Sequence, residues 1–134
     1  QRNLYQSQYL HQLLAAEKEA YYAGKLDLAE KYGTEYIAID PLEESAFSTL
    51  MQVYRDQKKF RKALGLYHTL CKNLSDEFSI SPLKETSALY YQIVDAWNTS
   101  TYKLEVGSDQ QLIGKDATQI EDAFQMLYRG GTSS

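Results

Sequence analysis

The apolar residues recur at spacings of three and four along most of the chain, which places them on one face of successive helices. The longest such stripe begins at Phe60 and continues through Leu64, Tyr67 and Leu70 to Leu74. The few breaks in this pattern fall at turn-forming residues or at helix-start signals. The pattern predicts five helices, at about residues 4–22, 26–39 and 41–56, from about residue 60, and at 82–97. The residues that exceed one repeat before Ser81 lengthen either the fourth helix or the loop after it.

The third predicted helix has a recognisable start. Asp40 can cap the helix, Pro41 suits its first position, and Glu43 completes a box-like cap. Ser81-Pro82 repeats this signal later in the chain. We therefore expect residues 82–97 to form a separate helix.

The character of the chain changes after Trp97. Residues 98–101 have loop composition, and residues 102–106 alternate apolar and polar side chains as a half-buried strand does. A turn signal at 107–109 leads to a second short apolar run, so a short β-hairpin is expected at about 101–113. A helix is predicted at 116–128. The expected division is a helical domain at 1–97 and a C-terminal extension at 98–134.

A repeat emerges when the chain is compared with itself at a spacing of about 34 residues, the period of tetratricopeptide repeats. Residues of the same class are then aligned: Leu13 with Phe47, Ala29 with Ala63, and Tyr36 with Leu70. In such repeats, stacked helical hairpins bury each other's apolar faces. Gly24 holds the turn position of the first unit, whereas Lys58 stands there in the second. The fold predicted is all-α and tetratricopeptide-like, with a generic helical bundle as the alternative.

Charge and composition exclude several classes of protein. The formal charge is −4, and no basic patch offers the phosphate contacts that supply most DNA affinity. No stretch approaches the length of a membrane span. The single cysteine, Cys71, cannot form an internal disulfide, which suits a cytoplasmic location. The chain begins with Gln1 rather than Met, so we expect it to be a fragment of a longer protein.

Several segments between Leu26 and Val94 resemble the bacterial transcriptional activation domain of Streptomyces antibiotic regulatory proteins. The spacing between the two proline-containing starts, which is longer than one repeat, is part of that pattern, and the region after Trp97 lies outside it. The segments that carry the resemblance are Ala29-Glu30, Ala38-Ile39-Asp40-Pro41-Leu42-Glu43-Glu44, Leu50-Met51-Gln52-Val53-Tyr54, Lys62-Ala63-Leu64-Gly65-Leu66-Tyr67, Leu74-Ser75-Asp76-Glu77-Phe78-Ser79-Ile80-Ser81-Pro82 and Thr86-Ser87-Ala88-Leu89-Tyr90.

The resemblance implies a module for protein–protein interaction and self-association in a bacterial transcriptional regulator. In that family a winged-helix DNA-binding domain precedes the helical module. DNA contact would therefore come from a domain that this chain does not contain. The expected partners are a second copy, another regulator or the transcription machinery, and no membrane.

Residues that could carry catalysis or bind a metal are sparse. The sequence holds no Gly-rich phosphate loop and no zinc-type set of cysteines and histidines. His68 and Cys71 can share a helix face, but two ligands are too few for a structural metal site. The expectation is a protein that is not an enzyme and that has neither a metal nor a cofactor.

A concave groove is the candidate site that the repeat resemblance implies, because the first helix of each unit lines that face. Tyr and Arg often anchor interfaces, which makes Tyr21, Tyr22 and Arg55 the preferred contacts, although both tyrosines could instead pack on a neighbouring helix. The groove residues expected are His11, Leu14, Lys18, Tyr21, Tyr22, Gln52 and Arg55, with Ser45, Ser48 and Asp56 beside them.

The last predicted helix offers a second candidate surface. Phe124, Leu127 and Tyr128 could form a dimer face, and packing on their own domain is the alternative. Two other functions stay open: a stand-alone scaffold that binds a partner peptide, and a sensor for a small ligand.

Overall fold

A computed structural model describes residues 3–108 of the chain, and this part is built from helices without strands. The first three helices end at the predicted residues, and the all-α, hairpin-based fold is confirmed. The helices are α1 (Leu4–Tyr22), α2 (Leu26–Ile39), α3 (Glu44–Asp56), α4 (Phe60–Phe78) and α5 (Lys84–Ser108).

The two helical hairpins, α1–α2 and α3–α4, turn in the same way. Gly24 has a φ of 78° and Lys58 has a φ of 65°, so both occupy the left-handed region. After each of them, a backbone amide donates to a carbonyl five residues back: Lys25 to Ala20 at 2.9 Å, and Lys59 to Tyr54 at 2.7 Å. The repeat spacing inferred from the sequence therefore corresponds to a repeated turn geometry.

The start of α3 differs from the prediction. The Asp40 carboxylate accepts a hydrogen bond from the Leu42 amide at 3.1 Å, which makes a local turn rather than a helix cap. The helix begins at Glu44, three residues after the predicted start at Pro41. Glu43 is the N-cap, and its carboxylate accepts a hydrogen bond from the Ser45 amide at 3.3 Å. The prediction of Asp40 as the cap is wrong because its side chain is already bonded within the turn before the helix.

Helix α2 joins the cores of the two hairpins. Leu10, Leu13, Tyr36 and Ala46 form one buried cluster. Phe47, Leu70 and Leu74 form a second, and Ile37 of α2 packs against both. Because one helix contributes to both clusters, the second hairpin is stacked on the first, as the repeat pattern requires.

Helix α4 ends at Phe78, and its C-cap Ser79 adopts the left-handed conformation with a φ of 56°. The Ile80 amide donates to the Leu74 carbonyl at 3.4 Å, a typical helix-ending bond. The first turns of α5 then pack on α4. The Tyr67 and Tyr90 rings stack with centroids 4.4 Å apart, and the Tyr67 and Ser87 hydroxyls are 2.9 Å apart.

Helix α5 begins at Lys84 rather than at Pro82 and continues to Ser108. The predicted loop at 98–101 and the predicted strand at 102–106 are therefore wrong. No Pro or Gly interrupts residues 84–106. Adding a residue to an existing helix forms a hydrogen bond without a new nucleation step, which outweighs the weak helix propensity of Asn, Thr and Ser.

The chain divides into two compact units between Tyr90 and Tyr91, within α5. The predicted domain boundary after residue 97 also falls inside α5 and stays a prediction. The predicted second strand and the helix at 116–128, with Phe124, Leu127 and Tyr128, lie outside the described residues.

Candidate protein-interaction surface

Three side chains from the first helices of the two hairpins form a closed hydrogen-bond network. The Tyr21 hydroxyl of α1 donates to Oδ2 of Asp56 at 2.8 Å. Nη2 of Arg55 donates to the same hydroxyl at 3.0 Å, and its Nε donates to Oδ1 of Asp56 at 2.9 Å. Burial and the bond to Asp56 raise the pKa of Tyr21. The network fixes the end of α1 against the end of α3.

Tyr22 lies next to this network and is 80% exposed. Its ring is 5.4 Å from that of Tyr21, at an interplanar angle of 60°. The sequence left open whether the two tyrosines pack on a neighbouring helix. Tyr21 bonds across to α3, whereas Tyr22 presents its ring to solvent.

The other groove residues line the same sides of α1 and α3 without forming a single cluster. Lys18 and Gln52 occupy equivalent positions in the two hairpins. Nε2 of the Gln52 side chain donates to the Ser48 carbonyl at 3.3 Å. Leu14 packs against the first core cluster, while His11 is exposed. Of the expected groove residues, the structure brings Tyr21 and Arg55 into direct contact.

A second polar contact between the hairpins was not anticipated from the sequence. Nε2 of Gln57 donates to Oδ1 of Asp27 at 3.3 Å and to Oε1 of Glu30 at 3.2 Å, and Nζ of Lys59 lies 3.6 Å from the same Glu30 oxygen. Burial and the nearby Glu30 carboxylate raise the pKa of Tyr54 to about 12. These residues hold α2 against the second hairpin.

The competing effects on Glu30 show which interaction dominates there. Burial favours the neutral acid, but hydrogen bonds from Gln57 and Tyr54 and the charge of Lys59 outweigh it, so the pKa of Glu30 is lowered. The carboxylate is therefore charged where it meets the second hairpin.

Glu17 is the most unusual residue of the first hairpin. Its side chain is fully buried, and neither carboxylate oxygen has a hydrogen-bond partner among the described residues. Burial raises the pKa of Glu17 to about 8, with Lys18 opposing the shift. Gly33 makes room for it: a Cβ at that position would lie 2.5 Å from Oε2 of Glu17. The repeat spacing matches Glu17 with Met51, a signal that was present in the sequence and was missed.

The two residues considered for a metal site lie in an aromatic environment. The His68 ring is 5.4 Å from the Tyr90 ring, and burial lowers the pKa of His68. Burial also raises the pKa of the half-buried Cys71 thiol. Among the described residues, no three His, Cys, Asp or Glu side chains cluster as metal ligands would. No helix in the described part is both long enough and apolar enough to cross a membrane.

Comparison with protein families identifies the family of the chain. A family model described as the bacterial transcriptional activator domain matches residues 3–94, which include both hairpins and the first turns of α5. No curated protein and no solved structure matches the chain. The match covers more than half of the chain and agrees with the resemblance noted in its sequence.

Proposed function

Because the chain belongs to the bacterial transcriptional activator domain family, we propose that it is the non-catalytic interaction and self-association module of a bacterial transcriptional regulator. Its partner would be a second copy of the chain or another protein of the regulatory assembly. DNA contact would be made by a winged-helix domain outside this chain, and the complex would act in the cytoplasm.

The network of Tyr21, Arg55 and Asp56 is the observation that carries this proposal. It is built from residues of two hairpins, so it depends on their stacking. It orders an Arg and a Tyr beside the exposed ring of Tyr22 before any partner arrives. Tyr and Arg are the residue types that dominate binding hot spots, and ordering them in advance lowers the entropy lost on association.

The charge of the chain also fits an interaction module better than a DNA-binding one. The formal charge is −4, so the chain as a whole repels the DNA backbone. Arg55, which could meet a phosphate, is already bonded to Asp56 at 2.9 Å. The surface is suited to a protein partner that contributes aromatic and hydrogen-bonding groups.

A reporter assay in bacteria tests the proposal. The full chain is fused to a monomeric DNA-binding domain, and transcription is measured from promoters with one or two binding half-sites. We expect the fusion to raise transcription above the level of the DNA-binding domain alone. A stronger effect on paired half-sites would identify self-association as the contributing activity.

Variants of the surface make the assay specific. The double variant Tyr22→Ala/Arg55→Ala should reduce transcription to the level of the DNA-binding domain alone. Glu77→Ala, an exposed change on α4, is the matched control and should retain activity. Circular dichroism verifies that both variants are folded. A double variant with full activity would show that the surface is misassigned, and a fusion that never activates would contradict the proposed role.

A further inference from the structure

In the second hairpin, α2 packs against α3, with Glu30 reaching Lys59 at the start of α4. Leu50 and Val53 of α3 are fully buried. The backbone of Gly33 lies against Leu50, since a Cβ there would be 3.0 Å from Cδ1 of that leucine. At the rim, Glu30 of α2 faces Lys59, with Oε1 and Nζ 3.6 Å apart. The packing of α2 on the second hairpin thus shows how a helix docks on this side of a hairpin.

The equivalent side of the first hairpin, formed by α1 and the start of α2 and distinct from the side that contacts α3, is not covered by another described helix. Ala16 is half-buried and Glu19 is exposed, although their equivalents Leu50 and Val53 are fully buried. Leu28, on the α2 side, is 37% exposed. A cleft of about 190 Å³ lies here, and its lining includes Ala16, Glu19, Ala20, Lys25, Leu28 and Tyr32.

From this repeated geometry we infer that the groove between α1 and α2 docks an amphipathic helix of a partner protein, placed on the first hairpin as α2 is placed on the second. The surface differs from that of Tyr21 and Tyr22. At about 100° per residue, those tyrosines lie on the opposite side of α1 from Ala16 and Ala20.

The chemistry of the partner helix follows from the differences between the two grooves. In the second hairpin a large residue, Leu50, meets a glycine of the docked helix. In the first, the floor is formed by Ala16 and Ala20, so close packing requires bulky apolar side chains from the partner. Lys25 is exposed at the position that Lys59 holds in the second hairpin. An acidic residue of the partner helix would pair with Lys25 as Glu30 pairs with Lys59.

Helix α2 itself supplies the probe. A fluorescent peptide of residues 25–40 carries Gly33→Leu, which adds the bulky side chain that the alanine floor requires. A lactam between Lys31 and Glu35 stabilises its helix, because short helices are marginal in water. These two residues lie outside the side that carries Glu30, position 33 and Ile37. Fluorescence polarisation measures its binding to the full chain.

We expect the peptide to bind, and Lys25→Glu in the chain to weaken binding about fivefold, which corresponds to roughly 1 kcal/mol. Changing Glu30→Lys in the peptide should restore binding to the Lys25→Glu chain. Lys59→Glu is the matched control and should leave peptide affinity unchanged. The Tyr22→Ala/Arg55→Ala variant should also bind normally, which separates this test from that of the proposed function.

Three outcomes would overturn the inference. The first is that the peptide fails to bind, whether it carries leucine or glycine at position 33. The second is that Lys59→Glu weakens binding and Lys25→Glu does not, which would mean that the peptide displaces the chain's own α2. The third is that sedimentation shows self-association of the chain and its loss in Lys25→Glu, which would mean that a second copy of the chain occupies the groove.

Discussion

The two hairpins share a turn and differ in what they bury. Gly24 and Lys58 occupy the same left-handed position, and the hydrogen bonds around them follow the same pattern. Inside the first hairpin, however, a carboxyl group is buried at Glu17, whereas the second has Met51 at the equivalent position. A common backbone therefore encloses two chemically different interiors.

This difference indicates which hairpin is the less stable. Burying a polar group without a hydrogen bond costs free energy, and a charged group costs more. Glu17 limits that cost by keeping its proton up to a pH of about 8. At the equivalent position the second hairpin has no such cost, because Met51 is apolar and fully buried. We expect the first hairpin to open before the second.

The pH dependence of stability gives the largest expected effect. The Glu17 carboxyl ionises at an ordinary pKa of 4.5 in the unfolded chain and at about 8 in the folded chain. Between these values the unfolded state binds fewer protons, so raising the pH favours unfolding. Glu17 should lower the free energy of unfolding by about 4–5 kcal/mol between pH 4 and pH 9, with no further loss above that range.

Urea unfolding of the wild type and of Glu17→Gln at several pH values measures this effect. The glutamine has nearly the same shape and does not ionise, so the difference in unfolding free energy isolates the titration of Glu17. A difference that stays constant from pH 4 to pH 9 would contradict the buried, unpaired carboxyl.

Making the first hairpin resemble the second should stabilise it. Glu17→Met is expected to raise the free energy of unfolding by about 3 kcal/mol at pH 7, since the folded chain no longer holds a carboxyl that the unfolded chain would ionise. Thermal or urea unfolding provides the measurement. The reciprocal change, Met51→Glu, should destabilise the domain; similar stability in both variants would mean that the two interiors are equivalent.

Gly33→Ala tests the space that glycine provides for Glu17. Alanine is the better helix former, yet its Cβ would lie 2.5 Å from Oε2 of Glu17 and 3.0 Å from Cδ1 of Leu50. We expect a loss of about 1–2 kcal/mol from overpacking. In a Glu17→Ala background the same change should be neutral or stabilising, and a double-mutant cycle measures the coupling. Equal losses in both backgrounds would show that the two residues do not interact.

The smallest expected effect concerns the shared turn. Lys58 holds a left-handed backbone that glycine adopts without strain, so Lys58→Gly should stabilise the domain by up to about 1 kcal/mol. Gly24→Ala should destabilise it by a similar amount through strain alone, because a Cβ at Gly24 would meet no atom within 4 Å. Chemical denaturation can resolve both changes, and effects of the same sign would disprove the equivalence of the two turns.

The sequence predicted those parts of the fold that depend on local signals. The turn at Gly24, the ends of α1 and α2, and the repeat spacing follow from periodicity and residue type, and the structure confirms them. In the candidate surface, the repeat resemblance placed Tyr21 and Arg55 on the same concave face, and the two side chains form a hydrogen bond at 3.0 Å. Their role in binding a partner stays a prediction.

The remaining features depend on contacts between distant residues or on competing signals. Glu17 lies on an apolar stripe, but a glutamate on a helix is usually solvated, and only the comparison with Met51 marks it as buried. Residues 102–106 alternate in polarity as a strand does, yet the preceding helix continues through them. The start of α3 was misplaced because Asp40 can cap a helix or close a turn, and the choice depends on the surrounding fold.

The repeated turn also bears on how such a chain can change in length. Since the bonds at Lys25 and Lys59 are the same, a segment that runs from one turn to the next has ends of matching conformation. An insertion or deletion of that size preserves the joints on either side, whereas one of any other size shifts every later residue around its helix. Tandem duplication of the corresponding stretch of the gene would therefore lengthen the array by whole hairpins.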